Sequence, residues 1–288
     1  MRTSFLAVAA AAASLFALAV ADPVGAITRG GRLDGEDHPY VGLMVADDAD
    51  GNPMWRCSGA LISPTVYVTA GHCTFGAAGA ELWFTSDLHN GEPGTPTAPE
   101  YNYPFEGEAH GTPIAHPEYV DEAFFLFDLG VVILDEPYEL DEYATLPELG
   151  RVDEFTSGRN KGTSTVTAVG YGLQKIVGTA QGQGQDFVLD DKTRYAADLM
   201  VSNSKGVAGL GSIFKQIDGT GSFIVSGDAK HGGTCFGDSG GPMLADGNVI
   251  VGVNSFGLNG NCAGIGGVYR IDQPDDLDFI NGFLLELS

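Results

Sequence analysis

Short runs of apolar and β-branched residues, with partial alternation between apolar and polar positions, recur along most of this chain. Gly, Pro, Asn and Asp separate these runs, which is the pattern of strands joined by turns. The predicted strands are residues 40–47, 57–71, 81–85, 128–134, 164–172, 194–202, 222–227, 248–257 and 267–271. Two stretches lack the pattern. Residues 88–117 predict a long surface loop, and the Gln- and Gly-rich residues 173–186 predict a mobile insertion.

The end of the chain has the periodicity of a helix. From Asp275 onward, Leu277, Ile280 and Leu284 recur at spacings of three and four residues and so share one face. Acidic residues occupy the predicted first turn. Many short strands followed by one terminal helix predict an all-β fold of two sandwiches or barrels.

Composition and charge narrow the function. The chain has 288 residues, 43% of them hydrophobic, which is enough for a sizeable core. Its 38 acidic and 14 basic residues give a formal net charge of -24. Nucleic acids and anionic membranes bind clustered Lys and Arg, so neither is an expected partner. An acidic surface suits a soluble protein that repels copies of itself, and we expect a monomer.

The N-terminus has the layout of a secretory signal. One early Arg is followed by an apolar run and then by small residues. This predicts a signal peptide in residues 1–26, cleaved after Ala21, which leaves residues 22–26 as a short pro-segment, or after Ala26. No later apolar stretch is long enough to span a bilayer. We therefore expect a secreted, extracellular protein that is not held in a membrane once the signal is removed.

Four cysteines in an exported chain indicate disulfides rather than a metal site. Three pairings are open on the sequence alone, and proximity favours Cys57 with Cys73 and Cys235 with Cys262. Neither pair has the close spacing of a zinc-binding motif, and no acidic segment has the ordered ligand spacing of a calcium loop. We predict no metal ligands and no required cofactor, and structural calcium stays open without support.

Three residues together indicate acyl-transfer chemistry. They are His72 in "VTAGHC", Asp128 in "FFLFDLGVVIL" and Ser239 in "GDSGGP". Each alone has an ordinary structural explanation, and Asp121 and Asp135 are rival acids. Nucleophilic catalysis by serine needs a base, a carboxylate that orients the base, and N–H groups facing the developing oxyanion. Histidine, aspartate and glycine-flanked serine occur here in the order known for one such triad.

The same motifs carry a family resemblance. "TAGHC", "DLGVVIL" and "GDSGGP" resemble the histidine, aspartate and serine motifs of trypsin/chymotrypsin-type serine peptidases, over nearly all of residues 27–288. The resemblance implies two six-stranded antiparallel β-barrels with the active site in the cleft between them, about residues 27–150 and 151–288, and a C-terminal helix. Residues 173–193 have no assignable counterpart in the family. Few cysteines and an Ala-rich signal favour a secreted bacterial member.

The resemblance also implies a role for each site residue. Ser239 would attack the scissile carbonyl, His72 would act as general base and then acid, and Asp128 would orient His72. The N–H groups of Gly237 and Ser239 would form the oxyanion hole. Ser255 matches a serine beside the triad aspartate. The family has one disulfide beside the histidine, which Cys57 and Cys73 match. It has another that braces the substrate pocket, which Cys235 and Cys262 match.

The primary specificity pocket lacks the charge found in trypsin-like members. The family has its pocket base six residues before the nucleophile, which is Gly233 here, followed by Thr234. Gly257 and Gly267 match wall positions, where glycine implies an open, deep pocket. Such a pocket favours a large apolar or aromatic side chain. The implied pocket residues are Gly233, Thr234, Ser255, Phe256, Gly257 and Gly267.

Family members begin at an Ile whose freed amine pairs with the Asp before the nucleophile. Ile27 and Asp238 match these positions, although Thr28 and Arg29 depart from the usual Val-Gly. Ala26, rather than Lys or Arg, precedes Ile27, so activation by a trypsin-type cut is not indicated. The alternative is that other groups hold Asp238.

We therefore predict a secreted serine endopeptidase that acts on protein or peptide substrates and that protein inhibitors can bind. A basic or broad specificity is the alternative, through an acid supplied from elsewhere or through the general negative field. A catalytically silent binding protein on the same fold is a further alternative. An esterase of the α/β class is a third possibility, but such enzymes carry their Gly-x-Ser-x-Gly turn on an α/β sheet, which the strand-rich pattern does not predict.

Overall fold

The structure is a computed structural model that describes residues 31–88, 106–157, 160, 163–178, 185–189, 192–203, 221–227, 232–257, 262 and 264–286. The predicted signal peptide and Ile27 lie outside these residues. Among the described helices, none has the length and apolar character needed to cross a membrane.

The described part of the chain is mostly strand. Strands β1 to β15 span Arg32–Leu33, Val41–Asp47, Pro53–Leu61, Val66–Thr69, Gly79–Trp83, Ala109–Ala115, Gly130–Leu134, Thr165–Gly170, Lys175–Gly178, Gln185–Leu189, Tyr195–Asn203, Ser222–Ser226, Pro242–Ala245, Val249–Gly257 and Ile265–Arg270. Helices α1 and α2 span Gly71–Thr74 and Pro274–Glu286, and 3₁₀ turns span Asp121–Ala123 and Arg151–Thr156.

These strands form two closed six-stranded antiparallel barrels, which confirms the predicted fold. The first barrel has the order β2-β3-β4-β7-β6-β5. The second has the order β8-β13-β14-β15-β12-β11 and closes through the β11–β8 pairing, with β1 added outside β11. Register shifts in β2, β13 and β14 supply bends, because a flat sheet does not close into a barrel.

Two loop predictions are partly wrong. The predicted loop 88–117 contains β6, which closes the first barrel between β5 and β7. Its sequence, "AHGTPIA", has low strand propensity, so its neighbours in the sheet decide its conformation. The predicted insertion 173–186 contains β9 and the start of β10, which form a two-stranded sheet. The four-residue β13 was also absent from the prediction.

The predicted C-terminal helix is confirmed as α2, which follows the second barrel in sequence but packs against the first. Ile280 is fully buried in the same apolar cluster as β2 and β4. Phe279, Phe283 and Leu284 lie against that cluster. The helix thereby extends the hydrophobic contact between the two halves of the chain.

Arg194 is fully buried where the N-terminal segment meets both barrels. Its Nε donates to Asp34 Oδ2 at 2.8 Å, and its two terminal nitrogens donate to backbone oxygens. These acceptors are Gly35 at 2.6 Å and Val41 and Phe84 at 2.9 Å each. One guanidinium, just before β11, therefore binds the segment after β1, the first residue of β2 and the residue after β5.

The carboxylate of Asp34 is equally buried, and it also contacts His38 Nδ1 at 2.6 Å. Burial alone would raise its pKa, but His38 and Arg194 together outweigh burial and lower the pKa of Asp34. The pair is therefore ionised in the folded protein.

Removing one member of this buried pair should destabilise the fold. Asp34→Asn leaves the Arg194 guanidinium without a counter-charge, which costs about 3–5 kcal/mol for buried pairs. The control is Asp198→Asn, which breaks the exposed Arg32–Asp198 pair at 3.3 Å and should cost less than about 1 kcal/mol. Urea unfolding of both variants measures the difference in the free energy of unfolding. Equal losses would contradict this interpretation.

Candidate active site

His72 lies in the one-turn helix α1, directly after β4. Two glycines let this turn approach the start of β7. A Cβ at Gly71 would lie 3.1 Å from the backbone of Leu129, and one at Gly130 would lie 2.9 Å from the carbonyl of Ala70. This close approach lets the His72 N–H donate to Asp128 Oδ1 at 2.8 Å.

Asp128 is fully buried beside His72. Its two oxygens lie 3.0 and 2.9 Å from His72 Nδ1, and Ser255 Oγ, from the second barrel, donates to Oδ2 at 2.5 Å. Among the described residues, neither rival acid, Asp121 or Asp135, makes a hydrogen bond to His72, whose acidic partner is Asp128. Asp128 therefore binds His72 at two points, the backbone N–H and Nδ1.

This environment changes the acidity of His72. Burial disfavours the imidazolium, but the charge of Asp128 and its hydrogen bond outweigh burial, and the charge of Asp121 adds to them. The pKa of His72 is consequently raised above 6.5. The imidazole is thus a stronger base than a free histidine, with Nε2 left for a partner in the cleft.

The segment that carries Asp128 is held in an unusual conformation. Phe127 has φ of 51°, in the left-handed region that non-glycine residues seldom adopt. Its ring stacks on His116 at 5.3 Å with an interplanar angle of 9°, and the His116 N–H donates to the carbonyl of Leu129 at 2.8 Å. Sequence reasoning missed His116, because neither its spacing nor its neighbours indicate this contact.

Ser58, on β3 of the first barrel, positions the serine loop of the second. Its N–H donates to the carbonyl of Ser239 at 2.7 Å. Its Oγ donates to the carbonyl of Gly237 at 2.8 Å and accepts from the N–H of Tyr171 at 3.0 Å. Ser58 is fully buried. Sequence reasoning also missed this residue, since a serine next to a strand cysteine has no distinctive signal.

The backbone around Ser239 offers free N–H groups. The Phe236 carbonyl accepts from the Leu173 N–H at 2.8 Å. Since C=O and N–H point in opposite directions across a trans peptide, the Gly237 N–H points away from Leu173. Within the described residues, no hydrogen bond uses the N–H of Gly237 or of Ser239, whereas the Asp238 N–H bonds to Cys235.

Asp238 is buried directly behind this loop. Its carboxylate accepts from the N–H groups of Gly172 and Cys235, each at 2.8 Å. Burial raises the pKa of Asp238 to about 6, against the lowering by these two N–H groups and by Arg56. The two N–H groups and Arg56 therefore do not fully compensate the carboxylate, and its predicted partner, Ile27, lies outside the described residues.

A cavity of about 190 Å³ opens beside Ser239, and none of the described residues that line it is charged. Its walls are Thr234, Cys235, Phe236, Ser239, Asn254, Ser255, Phe256, Gly257 and Cys262. Gly233 lines a separate cavity of about 20 Å³ that shares Thr234 and Gly257 with the first. Gly267 lines neither, since a Cβ there would meet the ring of Phe256.

A third cavity, of about 470 Å³, lies on the histidine side of the cleft. Its lining is His72, Ser255 and Asp121 with the rings of Trp55, Phe75 and Phe124. Ser255 borders both this cavity and the one beside Ser239, so the histidine-side and serine-side cavities adjoin at Ser255.

Both favoured cysteine pairings are confirmed. Cys57 and Cys73 form a disulfide that joins β3 to α1, and Cys235 and Cys262 form one beside the Ser239 cavity. The first fixes the turn that carries His72.

Comparison with known proteins agrees with this geometry. The family profile described as trypsin matches residues 30–273. The chain belongs to the trypsin family. It is 30% identical over 238 residues to a trypsin of Saccharopolyspora erythraea, an alignment that covers 81% of this chain and 88% of that protein. It is 28% identical over 239 residues to a chymotrypsin of Phaedon cochleariae, covering 82% and 75%.

A solved structure of HL collagenase has a TM-score of 0.62 at 19% identity, covering 89% of this chain and 97% of that one. At this identity the likeness supports the trypsin fold alone. The family membership makes this chain a serine endopeptidase, and its substrates are proteins or peptides.

Proposed function

We propose that this trypsin-family chain cleaves peptide bonds through Ser239, His72 and Asp128, acting as nucleophile, general base and orienting carboxylate. The observation that carries the proposal is the contact of buried Asp128 with His72 Nδ1 at 2.9 and 3.0 Å. An ionised carboxylate there keeps the proton on Nδ1, which leaves Nε2 unprotonated and able to accept a proton from a serine.

The reaction follows from these positions. Ser239 Oγ attacks the scissile carbonyl while His72 takes its proton, and a tetrahedral oxyanion forms. The N–H groups of Gly237 and Ser239 stabilise that oxyanion. His72 then gives its proton to the leaving amine, and an acyl-enzyme remains. Water, deprotonated by His72, attacks the ester and releases Ser239.

Maturation would complete the oxyanion site. Release of Ile27 creates an ammonium group that can pair with the Asp238 carboxylate. Burial raises the pKa of this carboxylate to about 6. An ion pair there would hold the Gly237–Ser239 segment in place. The signal-like N-terminus supports secretion and processing at Ala21 or Ala26. N-terminal mass analysis of the secreted protein tests this step, and an active enzyme that keeps Asp22 as its first residue would contradict it.

The cavity beside Ser239 supports a preference for large apolar or aromatic residues before the scissile bond. An apolar cavity of about 150 Å³ binds benzene, so about 190 Å³ can hold an aromatic side chain. The described residues that line the cavity include no acid to pair with Lys or Arg, and burying an unpaired cation is costly. The aromatic lining of the third cavity supports apolar residues in neighbouring substrate positions. Relatives bear the names trypsin and chymotrypsin alike, so names do not decide the specificity.

Active-site labelling tests the catalytic proposal. The mature wild-type protein should take one organophosphonate group per chain, and Ser239→Ala should take none and lose at least about 10⁴-fold in kcat. The control is Ser157→Ala, an exposed serine that lines neither cavity, which should label normally. A wild-type protein that takes no label and cleaves no casein would instead be a silent binding protein.

The pH profile tests the environment of His72. Catalysis needs the neutral imidazole, so kcat/KM should rise with pH and reach half of its maximum above pH 6.5, because Asp128 and Asp121 raise the pKa of His72. Asp121→Asn removes one of these charges and should move the midpoint to lower pH, and the neighbouring Glu122→Gln should leave it unchanged. Asp128→Asn should lower kcat about 10⁴-fold. If Asp121→Asn caused that loss instead, Asp121 would be the orienting acid.

Peptide substrates test the pocket. Substrates with Phe, Tyr or Leu before the scissile bond should have kcat/KM at least about tenfold above those with Lys or Arg, because the pocket offers no counter-charge. Thr234→Asp places a carboxylate in the cavity wall and should raise cleavage after Lys and Arg. The uncharged Thr234→Asn should not. Wild-type cleavage mainly after Lys or Arg would refute the apolar preference.

A further inference from the structure

His116, Asp275 and Asp276 come together behind the segment that carries Asp128, outside the cleft. One ligand atom from each lies within 4.8 Å of the other two. His116 follows β6 of the first barrel, and the two aspartates lie in the first turn of α2. The three residues are therefore brought together only by the docking of α2 on the first barrel.

The carboxylate of Asp276 is only half satisfied. The side chain is fully buried, and its Oδ1 accepts from the hydroxyl of Tyr269 at 3.0 Å. Its Oδ2 is buried and has no hydrogen-bond partner within the described structure. A buried carboxylate oxygen without a partner is costly, and a bound cation or a proton would remove that cost.

His116 is available on the same side. It is 4% exposed, stacked on Phe127 and in edge contact with Phe279 at 5.0 Å. Its one side-chain hydrogen bond in the described structure is a long one, from the Glu118 N–H to Nδ1 at 3.3 Å. No hydrogen bond or ion pair among the described residues joins the imidazole to either aspartate. The three ligand atoms thus face one another without bonding directly.

We propose that His116, Asp275 and Asp276 bind a divalent transition-metal ion, with Zn²⁺ as the best match. One imidazole nitrogen and two carboxylate oxygens suit tetrahedral Zn²⁺, with water as the fourth ligand. Calcium prefers an all-oxygen shell of six to eight ligands, which this set does not supply. Asp275 is exposed, so it gives the ion an entry from solvent and can move to close the shell at bonds of about 2.0–2.2 Å.

The other group of potential ligands does not compete. Cys57, His72 and Cys73 also lie close together, but both cysteines are in a disulfide and carry no thiolate.

A bound ion would link the two halves of the chain. It would join the end of β6 to the helix that follows the second barrel. His116 also holds the Phe127 ring and the Leu129 carbonyl on either side of Asp128. The site is therefore structural, and it supports the segment that positions Asp128 without contacting substrate.

Metal binding to the full secreted protein tests the proposal. The Ser239→Ala protein is stripped with a chelator, dialysed against Zn²⁺ and measured by elemental analysis and calorimetry. We expect one Zn²⁺ per chain and a rise in Tm with Zn²⁺ concentration, because the ion binds the folded state. Ca²⁺ at the same concentrations should give no rise.

Matched variants locate the ion. His116→Gln and Asp275→Asn should each weaken Zn²⁺ binding at least about tenfold, and loss of a ligand should remove the Tm rise. His110→Gln and Asp278→Asn change an exposed histidine and an exposed carboxylate on the same elements and should stay within about twofold. If His116→Gln does not fold, Asp275→Asn decides, since this exposed side chain supports no core packing. Absence of stoichiometric Zn²⁺, or binding unchanged in Asp275→Asn, would overturn the proposal.

Discussion

The buried side chain of Ser58 connects the two halves of the catalytic cleft. It belongs to the first barrel, yet its N–H and Oγ hold the carbonyls of Ser239 and Gly237 in the second. His72 and Asp128 come from the first barrel, so the distance from His72, the proposed base, to Ser239, the proposed nucleophile, depends on contacts across the junction. Ser255 makes the reverse connection, from the second barrel to Asp128. Small errors in such positioning lower catalytic rates strongly, which explains why the junction is polar and tightly bonded.

The same junction is rich in buried charges, and their compensation differs. Asp34 has Arg194 and His38, and Asp128 has His72 and Ser255. Among the described residues, Asp238 accepts hydrogen bonds from two backbone N–H groups and feels the charge of Arg56, and Asp276 accepts from one hydroxyl. Burial raises the pKa of these last two, to about 6 and about 8. Incompletely compensated carboxylates require a cation or a proton. This common physical reason underlies both the proposed pairing of Asp238 with a new N-terminus and the proposed ion at Asp276.

Much of the fold was predictable because most barrel strands carry an apolar, β-branched pattern of their own. Apolar, β-branched runs identified most barrel strands, and the spacing of Leu277, Ile280 and Leu284 identified α2. β6 escaped prediction because its residues have weak strand propensity and neighbouring strands impose its conformation. Ser58 and His116 escaped for a related reason. Their roles consist of contacts with residues distant in sequence, and no local pattern records such contacts.

The sequence by itself determined the candidate reactive groups of this trypsin-family protein. Glycine-flanked Ser239, the histidine motif and the aspartate motif specify reactive groups locally, and the two disulfide pairs followed from proximity along the chain. Tertiary structure alone decided the shape of the pocket, where the Phe256 ring occupies the space over Gly267. It also decided which acids are buried together. Cavity volume and charge compensation depend on how separate strands pack, and packing is a property of the whole fold rather than of any one segment.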